Sequence, residues 1–207
     1  MLRPTREQID AGIVDAAAAM FAQHGYERTS LREIAQRVGY SKTGLLHRFA
    51  SKEALRDAVA EQCVAAVRGV LAGVEHLPPG AGRDTAAVEA LADLAVSAPG
   101  RLSLALAREG GLEGTSAGQV LSGVPDLLLA CFCPEDRTGE DRACDGPAGP
   151  GLERRVRVAS ALAVIGTVTV TFSRRTPQEL RPHMVAIALQ VLGHTPPALP
   201  APASTAR

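Results

Sequence analysis

The sequence predicts an all-α fold, and three observations carry that prediction. The 207 residues are 46% hydrophobic but only 3% aromatic, with no Trp, two Tyr and four Phe, so the core must be built from Ala, Leu and Val. Such a composition suits helices better than sheets. Apolar residues recur at three- and four-residue spacing along most of the chain, and Ser or Thr capping signals alternate with Gly and Pro stops.

Taken in order, residues 7–23 place Ile9, Ile13, Ala17 and Met20, with Phe21 beside them, on one helical stripe that stops at Gly25. Ser30-Leu31-Arg32-Glu33 is a capping box, in which the hydroxyl and the carboxylate satisfy exposed amides. Leu31, Ile34, Ala35 and Val38 then form the inward stripe of a second helix that ends at Gly39. Ser41 caps a short third helix with Leu45 and Phe49 one turn apart facing inward, and Ser51 caps a fourth that begins Lys52-Glu53-Ala54-Leu55. The fourth is predicted to run from Lys52 to Val74, roughly 33 Å at about 1.5 Å per residue, which is long enough to join two domains. Pro78-Pro79-Gly80 closes it.

Further helices are predicted over residues 84–97, 100–108 and about 117–132, separated by Pro99-Gly100 and by the Gly-rich turn from Gly110 to Gly118. Residues 133–151 lack apolar periodicity and are dense in Asp, Glu, Gly and Pro, which predicts an exposed, mobile loop. Leu152, Val156, Ala159, Ala163, Gly166 and Val170 continue a helical stripe, and Val164 to Phe172 is apolar or β-branched on all sides. A single buried helix is expected there, with more burial than one helical layer supplies, which favours a dimeric four-helix bundle. Thr176-Pro177-Gln178-Glu179 opens the last helix, whose stripe is Leu180, Met184, Ile187 and Val191 before Gly193; Pro182 is expected to kink it or delay its start. The Pro/Ala-rich residues 195–207 are expected to be disordered.

Charge and cysteine usage narrow the function classes. Twenty-two Lys+Arg against 22 Asp+Glu exclude a uniformly basic nucleic-acid coat and an acidic solvating protein, while leaving room for a local patch. No uncharged apolar run reaches about 18 residues, and Met1 to Asp10 has no apolar signal-peptide core, so no membrane partner is expected. Four cysteines (Cys63, Cys131, Cys133, Cys144) in a chain of this length fit reduced thiols and a cytoplasmic location.

The second helix, the Gly39-Tyr40-Ser41 turn and the third helix have the spacing of a helix-turn-helix over about residues 30–49, in which the second helix of the pair enters the major groove. With Leu45 and Phe49 turned inward, Lys42, Thr43, His47 and Arg48 are left for the groove and its phosphate walls. Residues 1–52 hold eight Lys/Arg against five Asp/Glu, a net +3 within a chain of zero net charge. Lys42 and Lys52 are the only lysines, and both fall at helix N-termini, whose positive ends also favour phosphate. Gly44 lowers helix propensity but lets the backbone approach DNA closely.

The stretch from Thr29 to Leu55, TSLREIAQRVGYSKTGLLHRFASKEAL, resembles the DNA-binding domain of the TetR family of bacterial transcriptional regulators. Thr29, Ile34, Ala35, Gly39, Ser41, Leu45, Phe49, Ser51, Lys52, Glu53 and Leu55 fall in register with the family pattern. The resemblance implies an N-terminal helix-turn-helix DNA-binding domain over 1–52, a larger helical ligand-binding and dimerisation domain over 53–194, and a tail over 195–207. It further implies a homodimer through about residues 152–193 on a palindromic double-stranded operator, released by a small-molecule effector. Carried over by position, Thr29 and Ser30 would bond phosphate, Tyr40 would sit at the turn, Ser41 to Thr43 would enter the groove, and Lys52 would clamp a phosphate. Two departures stand out: Leu46 replaces the family's usual Tyr, and Arg48 replaces the Tyr or His before Phe49, offering a charge-assisted bond in place of a phenol.

Other signals are weaker. Gly114-Thr115-Ser116-Ala117-Gly118 matches the hydrolase G-x-S-x-G elbow, but no strand precedes it, so a turn between helices is expected and no catalytic residue is assigned. His24, His76, His183 and His194 show no metal-ligand spacing, and no metal site or cofactor is expected. Cys131-x-Cys133, with Cys144 eleven residues on, supports the alternative of a thiol-based redox- or metal-responsive regulator. A DNA-silent small-molecule-binding or adaptor protein is the other alternative. With Phe132 and Phe172 the only aromatics beyond the head, an effector pocket lined from between Val59 and Thr171 would be aliphatic and suit an apolar ligand.

Overall fold

Thr5 and Gln8 form a reciprocal cap at the start of α1 (Arg6–His24), the Thr5 hydroxyl accepting from the Gln8 amide and the Gln8 side chain from the Thr5 amide. The computed structural model describes residues 5–107, 111–133, 150–171 and 177–195. Helix α1 ends at Gly25, whose φ of +80° would strain any residue with a side chain. The predicted capping box opens α2 (Leu31–Arg37): Ser30 Oγ accepts from the Glu33 amide at 3.2 Å, and the Glu33 carboxylate accepts from the Ser30 amide at 2.8 Å. Helix α3 (Lys42–Leu46) follows Gly39, and α4 (Lys52–Val74) starts where Ser51 Oγ accepts from the Ala54 amide at 3.1 Å. The remaining helices are α5 (Ala81–Ser97), α6 (Pro99–Leu106), α7 (Ser116–Leu121), α8 (Val124–Phe132), α9 (Pro150–Thr171) and α10 (Pro177–Leu192), and the described residues include no strand.

Two elements depart from expectation. The third helix stops as a regular α-helix at Leu46 rather than reaching Phe49, although the Leu45 carbonyl still accepts at 2.9 Å from the Arg48 amide, the spacing of a tighter turn, and at 2.9 Å from the Phe49 amide, the α-helical spacing. The single helix expected over 117–132 is two, because Pro125 has no N–H for the Leu121 carbonyl and its ring collides with a continuing helix. As the second residue of α8, the same proline falls where its missing donor costs nothing. Pro182 lies inside α10, which nevertheless begins at Pro177.

The chain divides into two compact units, Met1–Ala72 with Ser97–Leu128 and Gly73–Val96 with Leu129–Arg207. The first therefore extends past residue 52. Its core stacks Ile13, Val14, Ala17 and Phe21 of α1 on Ile34, Leu45, Leu55, Val59 and Cys63, and α6 contributes Leu104. In the second unit α9 buries Val158, Ala161 and Ile165, and α10 buries Met184, Val185, Ala188 and Leu189. The stripe singled out in α9 faces the other way: Leu152 is 70% exposed, Val156 55% and Val170 45%, and Ala159 and Ala163 are exposed as well. The expected loop over most of 133–151, Cys144, Phe172, Thr176 and most of the expected tail lie outside the described residues.

Candidate nucleic-acid interface

Three local devices shape the helix-turn-helix. Gly39, at φ +74°, reverses the chain after α2, and the Tyr40 amide donates back to the Ala35 carbonyl at 2.8 Å. Ser41 Oγ then accepts from the Gly44 amide at 3.0 Å and starts α3. Leu45, fully buried, anchors the helix from below, and Phe49 packs partly buried against the same core.

With that side held, Ser41, Lys42, Thr43 and His47 are exposed, and Gly44 lies half-buried between them. A methyl group at Gly44 would meet Ser41 Oγ at 3.3 Å and the Tyr40 ring at 3.5 Å, so the glycine also lets the turn pack closely. Ser30 is exposed, with its hydroxyl donating to the Glu33 carboxylate at 2.7 Å. This bond, followed by the Ser30 amide, holds the Glu33 carboxyl below its ordinary range. Lys52 leans over the Tyr26 ring, Nζ 4.1 Å from its centroid, and reaches the Glu27 carbonyl at 3.5 Å.

Two carried-over residues are placed differently. Thr29 is 2% exposed, and its hydroxyl donates to the Gly25 carbonyl at 2.9 Å, so it closes the end of α1 instead of facing a phosphate. The carbonyls at a helix C-terminus lack amide partners, and a nearby hydroxyl satisfies one of them. Arg48 is also turned away: its guanidinium pairs with the Asp10 carboxylate of α1 and sits 5.8 Å from the centroid of the Tyr40 ring. Asp10 and Tyr26 were not legible as parts of this surface. Asp10 shows only an i,i+4 relation to Arg6, and Tyr26 only its place after a helix-ending glycine.

The weaker signals resolve locally. Thr115 caps α7, Gly114 has φ +75°, and a methyl group at Gly118 would lie 2.1 Å from the Leu112 carbonyl oxygen, so turn geometry accounts for G-x-S-x-G. Ser116 Oγ lies 3.3 Å from Asp57 Oδ1 and from Arg56 Nη2, an arrangement without a histidine base. Cys131 is fully buried, and burial pushes its thiol up to about 11, leaving little of the thiolate that redox or metal chemistry needs at neutral pH. Among the described residues no three His, Cys, Asp or Glu side chains gather as a metal site.

Comparison with known proteins places this surface in a wider setting. Residues 13–59 match the family described as bacterial regulatory proteins, tetR family. The A-factor receptor protein of Streptomyces griseus is 46% identical over 50 residues, which make up 24% of this chain and 18% of that protein. The HTH-type transcriptional regulator RutR of Escherichia coli (strain K12) is 50% identical over 50 residues, 24% of each chain. The match thus spans about a quarter or less of these relatives' length. Among solved structures, AibR in complex with isovaleryl coenzyme A and operator DNA aligns over 86% of this chain and 97% of its own, with a TM-score of 0.54 at 21% identity. A TetR-family transcriptional regulator from Bordetella parapertussis 12822 aligns over 88% and 95%, with a TM-score of 0.56 at 21% identity. The fold therefore matches that of TetR-family regulators along most of the chain.

Proposed function

We propose, on the match of residues 13–59 to the tetR family of bacterial regulatory proteins, that the chain is a homodimeric transcriptional repressor, released from a palindromic operator by a small apolar effector. The observation that carries the reading is the exposed edge of α3, where Lys42, Thr43 and His47 stand free while Leu45 and Phe49 fix the helix from behind. Tyr40, Ser41 and Lys52 offer further side-chain donors for phosphate, whereas the Ser30 hydroxyl and the Gly44 amide would have to leave Glu33 and Ser41 to do so. Arg48 and Thr29 serve the head's internal structure.

Titrating the purified protein with salt on DNA from its own upstream region tests this reading. Specific binding should weaken steeply as salt rises, and Lys42→Ala should flatten the log–log slope by about 0.9, the contribution of one neutralised phosphate. Thr43→Ala should leave the slope unchanged and lower selectivity. A wild-type protein that prefers no sequence over random DNA, in this region or in a selection from random duplexes, would refute it and favour the DNA-silent alternative.

Dimerisation is supported by the outward stripe of α9, whose members Leu152, Val156, Ala159, Ala163, Gly166 and Val170 follow steps of four and three residues, the seam of two helices packed side by side. Small residues at its centre allow close approach. Ala163→Glu puts a charge in that seam and should convert a dimer in light scattering at micromolar concentration to single chains; a wild-type protein already of single-chain mass would sink the dimer. An effector site is supported by a cleft of about 320 Å³ in the first unit, lined chiefly by Leu104, Leu112, Leu121, Val124 and Pro125, a size within the range of small-molecule sites.

A further inference from the structure

Helix α3 spans five residues with a glycine in the middle, too short and too weak in propensity to hold its own conformation. Its first turn is held by Ser41 and its inner face by Leu45. Beyond its last residue the chain carries Arg48, whose guanidinium pairs with Asp10 in α1, 38 positions away in sequence, and lies beside the Tyr40 ring of the turn that precedes α3. Both charged side chains are largely withdrawn from water, Arg48 to 20% exposure and Asp10 to 31%, so salt screens the pair less than a surface bridge. Arg6 approaches the other Asp10 oxygen at 3.9 Å, so the carboxylate is flanked by two cations.

We propose that Asp10 is a positioning residue of the DNA-binding head: it holds Arg48 away from phosphate and so fixes the pose of α3, raising selectivity for the operator at the expense of non-specific affinity. An arginine at the edge of a DNA-reading helix, left unpaired, would bind any phosphate within reach and pull the helix with it. Paired to Asp10, the same arginine ties the end of α3 to α1 and adds no sequence-independent attraction. The inference rests on the DNA-binding reading, and its test separates the two.

Arg48→Ala, Asp10→Asn and the double variant are compared with wild type on an operator duplex and on random DNA across a salt series. Arg48→Ala should lower operator affinity about tenfold, equivalent to about 1.4 kcal/mol, while leaving the salt slope unchanged, in contrast to Lys42→Ala. Asp10→Asn frees the guanidinium, so random-DNA affinity should rise, its slope should steepen by about 0.9, and the operator-to-random ratio should fall. The double variant should lose no more operator affinity than Arg48→Ala alone, and the exchange Asp10→Arg with Arg48→Asp should recover selectivity. A slope that flattens in Arg48→Ala as much as in Lys42→Ala would place Arg48 on a phosphate and overturn the proposal.

Amide hydrogen exchange without DNA gives an independent reading. In Asp10→Asn the amides of Leu45, His47, Arg48 and Phe49 should exchange faster while those in the middle of α4 do not change. If no duplex is preferred by the wild type, the repressor reading fails, and equal exchange in the two proteins then disposes of the positioning role as well.

Discussion

Replacing Gly100 by alanine is expected to destabilise the first unit by about 3 kcal/mol, at the upper end of overpacking costs. A methyl group there would lie 1.9 Å from the Asp15 carbonyl oxygen and 2.9 Å from the Ala19 amide nitrogen, both backbone atoms of α1 that no rotamer change can move. The start of α6 must then lift off α1, and two further interactions go with it. The Asp15 carboxylate accepts from the Gly100 and Arg101 amides at 3.2 and 2.9 Å, capping a helix whose own N-cap position is Ala98, without a side-chain bond. Leu104, one turn further along, leaves its place in the core shared with α1. For a unit of this size the melting temperature should fall by roughly 10 °C or more. Gly69→Ala and Gly73→Ala in α4 supply the contrast: nothing lies within 4 Å of either added methyl, so each should stabilise by about 0.5–1 kcal/mol through helix propensity. A Gly100→Ala protein that melts with the wild type would show that α6 does not depend on this contact.

The second large effect is expected at Arg83, 2% exposed in α5. Its guanidinium donates to the Cys131 and Ala130 carbonyls at 2.8 Å, to the Leu77 carbonyl at 2.8 Å and to the Glu75 carbonyl at 3.3 Å. One planar fork therefore satisfies the last turn of α8 and the turn that follows α4, groups left without intrahelical partners. Beside it Asp84, 1% exposed, pairs with Arg154 at 2.5 Å and with His194 at 2.6 Å, linking α5 to α9 and to the residues after α10. Arg83→Ala strands four carbonyls in a site that admits little water, which should cost on the order of 4 kcal/mol or more when each unsatisfied group costs roughly 1–3. Arg83→Lys should recover little, because an ammonium on a flexible stem cannot reach both pairs of carbonyls. Denaturation midpoints decide the matter; should Arg83→Ala not accumulate as folded protein, Arg83→Lys carries the measurement, and a midpoint equal to wild type would reject the account.

Much of the head was legible because its signals are local. The Ser30–Glu33 box, the Ser41 and Ser51 caps and the glycines at 25 and 39 act within four residues of themselves, so reading them along the chain places α1, α2 and α4 and the start of α3. The exposed members of the candidate interface, Lys42, Thr43 and His47, followed from Leu45 and Phe49 pointing inward on the same short segment. The break between α7 and α8 was also present in the sequence as Pro125, but the apolar stripe on either side obscured it.

What remained out of reach were choices between neighbours that only folding brings together. Arg48 could face solvent or a carboxylate, and α1 placed Asp10 beside it. In α9 both Leu152-Val156-Ala159-Ala163 and Val158-Ala161-Ile165 have helical spacing, and periodicity cannot say which stripe meets α10 and which is left outward. The sequence by itself determined where α1, α2 and α4 begin and end and where α3 begins, because caps and breakers are bonds between a side chain and its own nearby backbone. Only the tertiary structure decided which buried charge meets which partner and which apolar face turns inward, because desolvation and packing depend on atoms tens of residues away along the chain.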